Sequence, residues 1–218
     1  MRAVLLDFNG TMIFDSSLHA EAWSKIYQDL YPEDAKPLDS SVVCGPNNDA
    51  ILKSMAPWLT PSERAEWSEK KEELYRRACK TKTEPLHLVN GTEEFLQYLQ
   101  DHGIPYGLAS ASIASNIDFY FETYGLDRWF DKSQVVYDDG TYPNKGAMHL
   151  EAARRMGVDI SECLLIEDSA GSIAFAKQNG AGSIVAIGNS APITKLFDAG
   201  ADHYVKDFSE FDCAWLQF

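Results

Sequence analysis

The sequence predicts an α/β fold with three layers, in which a mostly parallel sheet lies between helices and an all-helical insert follows the first strand. Three observations support this prediction. Glycines repeatedly close stretches of helical periodicity, where a left-handed C-terminal cap suits glycine. Short apolar runs without polar alternation recur, as expected of strands that are covered on both faces. The segment from about residue 16 to 86 has helical patterns but no good strand.

The repeating unit of helix, glycine and apolar run begins at about residue 92. Five glycines close its helical stretches: Gly103, Gly125, Gly157, Gly180 and Gly200. The strands predicted from the apolar runs span residues 4–6, 106–109, 135–136, 164–166 and 183–187. Because strands alternate with helices, we predict crossover connections and a parallel sheet.

The insert is predicted to hold at least two helices. Ser16 or Ser17 is expected to cap the first, and the run from Thr60 to Glu63 is a capping box with Pro61 at the first helical position. We therefore predict a core domain of residues 1–15 and 86–218 and a helical cap domain of residues 16–85. The insert is either a mobile lid beside the functional edge of the sheet or an excursion packed permanently on the core.

Composition excludes several classes of protein. The 218 residues carry a formal net charge of −14, which argues against a general nucleic-acid binder. The first apolar run is interrupted by Asp7, too soon for a signal peptide or a membrane span. The four cysteines are scattered without metal-ligand spacing. We expect a cytoplasmic monomer or weak dimer with no nucleic-acid or membrane partner.

Polar residues follow the predicted strands. Asp7 ends the first apolar run, Ser110 follows a later one, and Glu167 and Asp168 follow another. Taken singly, each is an ordinary turn or helix entry, and Lys145 alone is an ordinary solvated lysine. Because the carboxyl ends of parallel strands share one edge, we expect these side chains to meet. Clustered carboxylates repel one another, which indicates a hard divalent cation such as Mg²⁺ with oxygen ligands.

The order of these residues resembles the four motifs of the haloacid dehalogenase superfamily. The motifs are, in order, Asp7-Phe8-Asn9-Gly10-Thr11, Ser110, Lys145 and Glu167-Asp168. The sequence is most similar to the β-phosphoglucomutase-like subgroup. The resemblance implies a Rossmann-like core with an inserted helical cap. It also implies a Mg²⁺-dependent phosphatase that acts on a small phosphorylated metabolite, of the sugar-phosphate type.

The resemblance also implies roles for individual residues. Asp7 attacks phosphorus and forms an aspartyl-phosphate, while Ser110 and the following backbone amides hold phosphoryl oxygens and Lys145 balances charge. Mg²⁺ is held by the Asp7 and Asp168 carboxylates and the backbone carbonyl of Asn9, with Glu167 in support. The residues expected to bind substrate are Gly10, Thr11, His19, Asn48, Arg77, Ala111, Ser112 and Asn116. The other histidines are expected to be structural.

The sequence departs from the family at Asn9, where phosphatases and phosphomutases usually have an aspartate that carries a proton. An amide cannot do this, so position 9 provides no general acid. Three explanations remain: a substrate whose leaving group needs little protonation, such as an acyl phosphate; an engineered change that traps an intermediate; or decayed catalysis. The motif around Lys145 is also unusual for the family. The cap loop, residues 44–49, lacks the arginine that similar sugar-phosphate mutases have there, and Arg76 or Arg77 would partly replace that arginine.

Four other functions therefore stay open. One is a β-phosphoglucomutase-like phosphomutase, which Asn9 disfavours because a mutase passes protons in both directions. The second is a phosphonatase, which would need an imine-forming cap lysine such as Lys53 or Lys70. The third is a catalytically impaired binder of a phosphorylated ligand. Dehalogenation dispenses with the metal, and the pair Glu167-Asp168 argues against it.

Overall fold

The computed structural model describes residues 1–33, 47–82, 87–188 and 190–216. The chain divides into two compact units, Met1–Phe14 with His87–Phe218 and, separately, Asp15–Leu86. The predicted domain boundary at residues 85 and 86 and the first part of the cap loop 44–49 lie outside the described ranges. None of the described helices has both the length and the apolar character needed to span a membrane.

The first unit contains a six-stranded sheet of order β3-β2-β1-β4-β5-β6, and every pair of neighbouring strands is parallel. Its strands are β1 (Ala3–Leu6), β2 (Tyr106–Ile113), β3 (Val136–Asp138), β4 (Cys163–Glu167), β5 (Ser183–Ile187) and β6 (His203–Val205). Strands β1 and β4 are buried along their whole length, because helices cover the sheet. The predicted α/β fold class is confirmed.

Two strand predictions need correction. Strand β6 was missed because its three residues are not an apolar run. Strand β2 continues to Ile113, so Ser110, Ala111 and Ser112 lie within the strand and not after it. Its pairing with β3 is irregular between Ala109 and Ile113, which explains why the apolar pattern stops before the strand does.

Eight helices are described: α1 (Ser16–Leu30), α2 (Asn48–Met55), α3 (Pro61–Thr81), α4 (Thr92–Asp101), α5 (Ala114–Tyr124), α6 (Lys145–Arg155), α7 (Ala170–Gln178) and α8 (Ile193–Ala199). The five glycines predicted to close helical stretches all have positive φ, as a left-handed cap requires. The first unit is held together by a core of aliphatic side chains from strands and helices, with Leu165, Met148 and Ile184 among them.

The order of the sheet sets the position of the site. Strand β1 lies between β2 and β4, and its last residue Leu6 is paired with both Leu108 and Ile166. The backbone N–H of Asp7 donates to the Ile166 carbonyl at 3.1 Å. The three strands therefore deliver their following residues to one edge of the sheet, where α/β proteins bind ligands.

The described residues of the second unit form three helices, α1, α2 and α3, and no strand. The predicted capping box is present, since the Thr60 side chain accepts from the Glu63 N–H and Glu63 reaches back to the backbone of Thr60. The prediction of a serine cap for α1 is wrong, because the helix begins at Ser16 and Asp15 occupies the N-cap position. A separate apolar core holds this unit together and includes Trp23, Ile26 and Leu52.

Candidate active site

Asp7 and Lys145 form a buried ion pair at the edge of the sheet. Asn144 caps α6 by accepting from the Ala147 N–H at 3.0 Å, so Lys145 is the first residue of the helix. Its Nζ donates to Asp7 Oδ1 and, at 2.7 Å, to the Ala109 carbonyl. Glu167 Oε1 lies 3.6 Å from the same nitrogen. The lysine thus joins the residue after β1, a residue within β2 and the last residue of β4.

Three carboxylates meet beside this pair. Asp7, Glu167 and Asp168 each offer an oxygen atom, and these atoms lie within 4.8 Å of one another. Gly10 makes the approach possible, because a Cβ at this position would lie 2.0 Å from Asp168 Oδ2. Its φ of +77° also favours glycine. Among the described residues, Glu167 Oε2 has no hydrogen-bond partner. A set of carboxylate oxygens with one buried oxygen unsatisfied suits a hard divalent cation.

The charges of this cluster shift its pKa values. Burial, reinforced by the charge of Glu167, raises the pKa of Asp7 from 3.8 to about 7 despite the opposing charge of Lys145. Burial beside Asp7 raises the pKa of Asp168 well above its usual value. Burial also opposes the charged forms of Glu167 and Lys145. The charge of Lys145 and the hydrogen bond of His149 outweigh burial at Glu167, so the pKa of Glu167 is lowered. The charges of Asp7 and then Glu167 outweigh burial at Lys145, so the pKa of Lys145 is raised. Without a cation, the site therefore resists carrying three negative charges.

Ser110 is completely buried in β2, beside β1. Its Oγ accepts from the Ser112 N–H at 3.2 Å, and Ala111 between them is exposed. Thr11 is also buried, and its hydroxyl has no hydrogen-bond partner within the described part of the chain. The N–H of Gly10 donates to the Ile13 carbonyl at 2.8 Å, which closes the turn after β1. The binding roles expected of these residues stay predictions.

Asn9 uses both ends of its amide. Its Nδ2 donates to Tyr120 Oη at 2.8 Å, and its Oδ1 accepts from Ser112 Oγ at 2.8 Å. Tyr120 Oη lies 3.2 Å from Ser112 Oγ. Because the single Ser112 proton is directed to Asn9, the tyrosine donates to the serine and the ring of three hydrogen bonds is closed. Asn116 Nδ2 also donates to Tyr120 Oη, at 3.4 Å.

The helical unit holds a second buried polar cluster. Lys71 Nζ donates to Glu72 Oε1 at 2.7 Å and to His19 Nδ1 at 2.6 Å. Asn48 Nδ2 donates to Glu72 Oε1 at 2.7 Å, and the His19 ring stacks on Tyr75 with centroids 3.9 Å apart. Two residues predicted to bind substrate, His19 and Asn48, are thus brought together. Arg77, the third one predicted in this unit, is exposed on α3. Lys53 on α2 and Lys70 on α3 are exposed as well.

Sequence reasoning missed four residues of these networks: Tyr120, His149, Lys71 and Glu72. His149 is buried, and its Nε2 lies 2.8 Å from Glu167 Oε1. Lys71 and Glu72 belong to a helix whose many charges predict a solvated face. The available signal was the spacing of His149 four residues after Lys145, which places both on one face of α6.

Comparison with known proteins identifies the family of this chain. A model of the haloacid dehalogenase-like hydrolase family matches residues 1–180. The Bacillus subtilis (strain 168) protein named "Putative phosphatase YhcW" is 26% identical over 223 residues, which cover 99% of this chain and 96% of that protein.

Two solved structures are similar over almost their whole length. One is a haloacid dehalogenase hydrolase of family IA, variant 3, from Entamoeba histolytica, with a TM-score of 0.88, 27% identity and coverage of 99% of this chain and 97% of that chain. The other is a β-phosphoglucomutase from Clostridium difficile, with a TM-score of 0.78, 18% identity and coverage of 100% and 96%. The family match spans most of the sequence, and the chain belongs to the haloacid dehalogenase-like hydrolases.

Proposed function

We propose that this hydrolase is a Mg²⁺-dependent phosphatase of small phosphorylated metabolites, similar to sugar phosphates, and that it acts through an aspartyl-phosphate on Asp7. The observation that carries the proposal is the buried pair of Asp7 and Lys145 beside two further carboxylates. The sugar-phosphate class is supported by the name of the structurally similar β-phosphoglucomutase.

The residues present fit Mg²⁺. The ion would be held by the carboxylates of Asp7 and Asp168 and the backbone carbonyl of Asn9, with Glu167 supporting the site. When bound, it would supply positive charge to the carboxylates and to the phosphoryl oxygens. The raised pKa values of Asp7 and Asp168 in the metal-free chain are the physical reason to expect that a cation is needed to keep both ionised.

The chain's own groups account for the two chemical steps. A carboxylate oxygen of Asp7 attacks phosphorus while the bond to the leaving oxygen breaks, and water then attacks the acyl phosphate and regenerates Asp7. Lys145 favours the charged form of the nucleophile and orients it, since its ammonium group donates to Asp7 Oδ1. Ser110 and the next backbone amides would bind phosphoryl oxygens.

Asn9 restricts the leaving group. It cannot transfer a proton, and both ends of its amide are already engaged by Ser112 and Tyr120. Acyl phosphates and similar substrates, whose leaving groups depart without protonation, should therefore turn over best. Replacing Asn9→Asp should raise kcat/KM for simple phosphate esters about 10- to 1,000-fold, the lower part of the range for general acid–base catalysis. Acyl phosphates should gain much less. Equal gains for both substrate types would contradict the role given to the proton.

The decisive experiment compares phosphate esters, sugar phosphates and acyl phosphates with and without Mg²⁺, and searches the quenched protein for phosphate on the Asp7 peptide. Asp7→Asn is the matched control, because it keeps the side-chain volume and removes the nucleophile. Turnover that requires Mg²⁺ and is lost in the control supports the proposal. Full activity in excess chelator, or in Asp7→Asn, would rule it out.

Phosphonate hydrolysis is the second candidate, because the helical unit buries a lysine. Burial lowers the pKa of Lys71 even though Glu72 opposes the shift, and a neutral amine is the form that attacks a carbonyl group. Lys71 is a better candidate for an imine than the exposed Lys53 or Lys70. Borohydride reduction in the presence of a phosphonate aldehyde should then label Lys71. Lack of labelling would exclude this chemistry.

A further inference from the structure

His149 makes a contact that the proposed reaction does not explain. It lies on α6, one turn after Lys145, and only 2% of its surface is exposed. Its Nε2 is 2.8 Å from Glu167 Oε1, and Glu167 is equally buried. Residues four apart on a helix share one face, so α6 brings Lys145 to Asp7 and His149 to Glu167. One helix thus contacts two of the three clustered carboxylates.

Packing alone does not account for an imidazole at this position. Within the described residues, His149 Nδ1 is buried without a hydrogen-bond partner. An unpaired buried polar atom is unfavourable, and an apolar side chain of similar size would avoid it. The hydrogen bond at the other nitrogen is therefore the contact that this histidine provides.

Because of this hydrogen bond, the two carboxylate oxygens of Glu167 have different environments. Oε1 is held by His149 and lies 3.6 Å from Lys145 Nζ. Oε2 is buried without a partner among the described residues, in a carboxylate that belongs to the three-residue cluster. Anchoring one oxygen fixes the rotation of the carboxylate, so that the other stays available to a ligand of positive charge.

We propose that His149 is a positioning residue of the cation site: its Nε2 hydrogen bond orients Glu167 and leaves Oε2 for a divalent cation. This inference rests on the proposed Mg²⁺ site. It predicts that the bond can be replaced only by a side chain with an N–H at the place of Nε2. Glutamine has the length to do so, whereas asparagine is shorter and leucine has no donor.

The test measures Mg²⁺ binding without substrate, as the Mg²⁺ concentration that gives half of the maximal rise in Tm. His149→Leu and His149→Asn should each raise this concentration about 10- to 100-fold, the usual effect of removing an outer partner of a metal ligand. His149→Gln should stay within about threefold of the wild type by the same reasoning. Leu150→Gln, on the exposed neighbour in the same helix, is the control and should change nothing.

The outcomes separate this inference from the function on which it rests. If the wild-type protein shows no saturable response to Mg²⁺, the proposed metal site itself is wrong. If the wild type responds and His149→Asn responds equally well, the inference is overturned. Equal weakening in the glutamine and asparagine variants would also overturn it, since both keep a polar side chain and only glutamine keeps the reach. This polar pair keeps the test valid even if His149→Leu fails to fold.

Discussion

Replacing Lys71→Met should destabilise the helical unit strongly. Lys71 is 2% exposed and Glu72 is 3% exposed, and their side chains lie 2.7 Å apart. The substitution leaves the Glu72 carboxylate buried with Asn48 as a donor and removes the lysine cation. Removing one partner of a buried ion pair typically costs about 3–5 kcal/mol. We expect a loss of that size in the free energy of unfolding.

The neighbouring lysine is the matched control. Lys70 pairs with Asp29 at 3.1 Å, but its side chain is 47% exposed. Exposed ion pairs contribute about 0–1 kcal/mol, so Lys70→Met should have a small effect although the substitution is the same. Urea unfolding followed by tryptophan emission suits this comparison, because Trp23, Trp58 and Trp67 belong to the helical unit.

A double-mutant cycle tests the reason for the loss. Glu72→Gln keeps an oxygen for Asn48 and removes the charge, so Lys71→Met combined with Glu72→Gln leaves no unpaired buried charge. The double variant should be more stable than Lys71→Met alone, with a coupling energy of about 1–3 kcal/mol. Two results would refute the assignment of Lys71 and Glu72 as a buried ion pair. One is a loss in the free energy of unfolding below about 1 kcal/mol for Lys71→Met. The other is a double variant whose loss equals the sum of the losses in the two single variants.

Three further predictions concern the carboxylate cluster. In chelator, stability supplied by protonated Asp7 is complete below about pH 4 and is lost as the pH rises to about 7, by up to about 1.4 kcal/mol per pH unit. The pKa of Asp168 is also raised, so this group adds a loss in the same direction. Urea unfolding across this range would show it, and a flat profile would contradict it. Asp168→Ala should stay folded, lose Mg²⁺-dependent turnover and no longer gain Tm with Mg²⁺. Gly10→Ala should lower Tm and activity together, since its Cβ would collide with Asp168; unchanged values would disprove this contact.

The edge of the sheet was predictable because parallel topology leaves few choices. Once apolar runs are recognised as neighbouring strands, the residues that follow them must lie at one edge, whatever the details of packing. That is why Asp7, Glu167 and Asp168 could be grouped although they are distant in sequence. Strand β6 could not be found in this way, because three residues with one aliphatic side chain give no pattern.

The partners of these residues were not predictable, since they depend on how helices pack. Tyr120 reaches Asn9 from α5 across 111 positions of sequence, and no periodicity specifies that contact. Lys71 and Glu72 have the charged composition of a solvated helix face, yet both are buried because His19 and Asn48 offer them polar partners. Burial of a charge is decided by its partners in space, which the local sequence does not contain.

The hydrogen bonds around Asn9 help to explain why this position has an amide and not a carboxylate. The Tyr120 hydroxyl accepts a hydrogen bond from the amide nitrogen and donates one to Ser112. Ser112 in turn donates a hydrogen bond to the amide oxygen. A carboxylate has no proton to give to Tyr120. The tyrosine would then turn its hydroxyl to the carboxylate, and its bond to Ser112 would be lost. A decayed site has no reason to keep both ends of this amide satisfied, nor to keep Lys145 on Asp7. The geometry therefore favours an enzyme adapted to a leaving group that needs no acid over one that has lost its function.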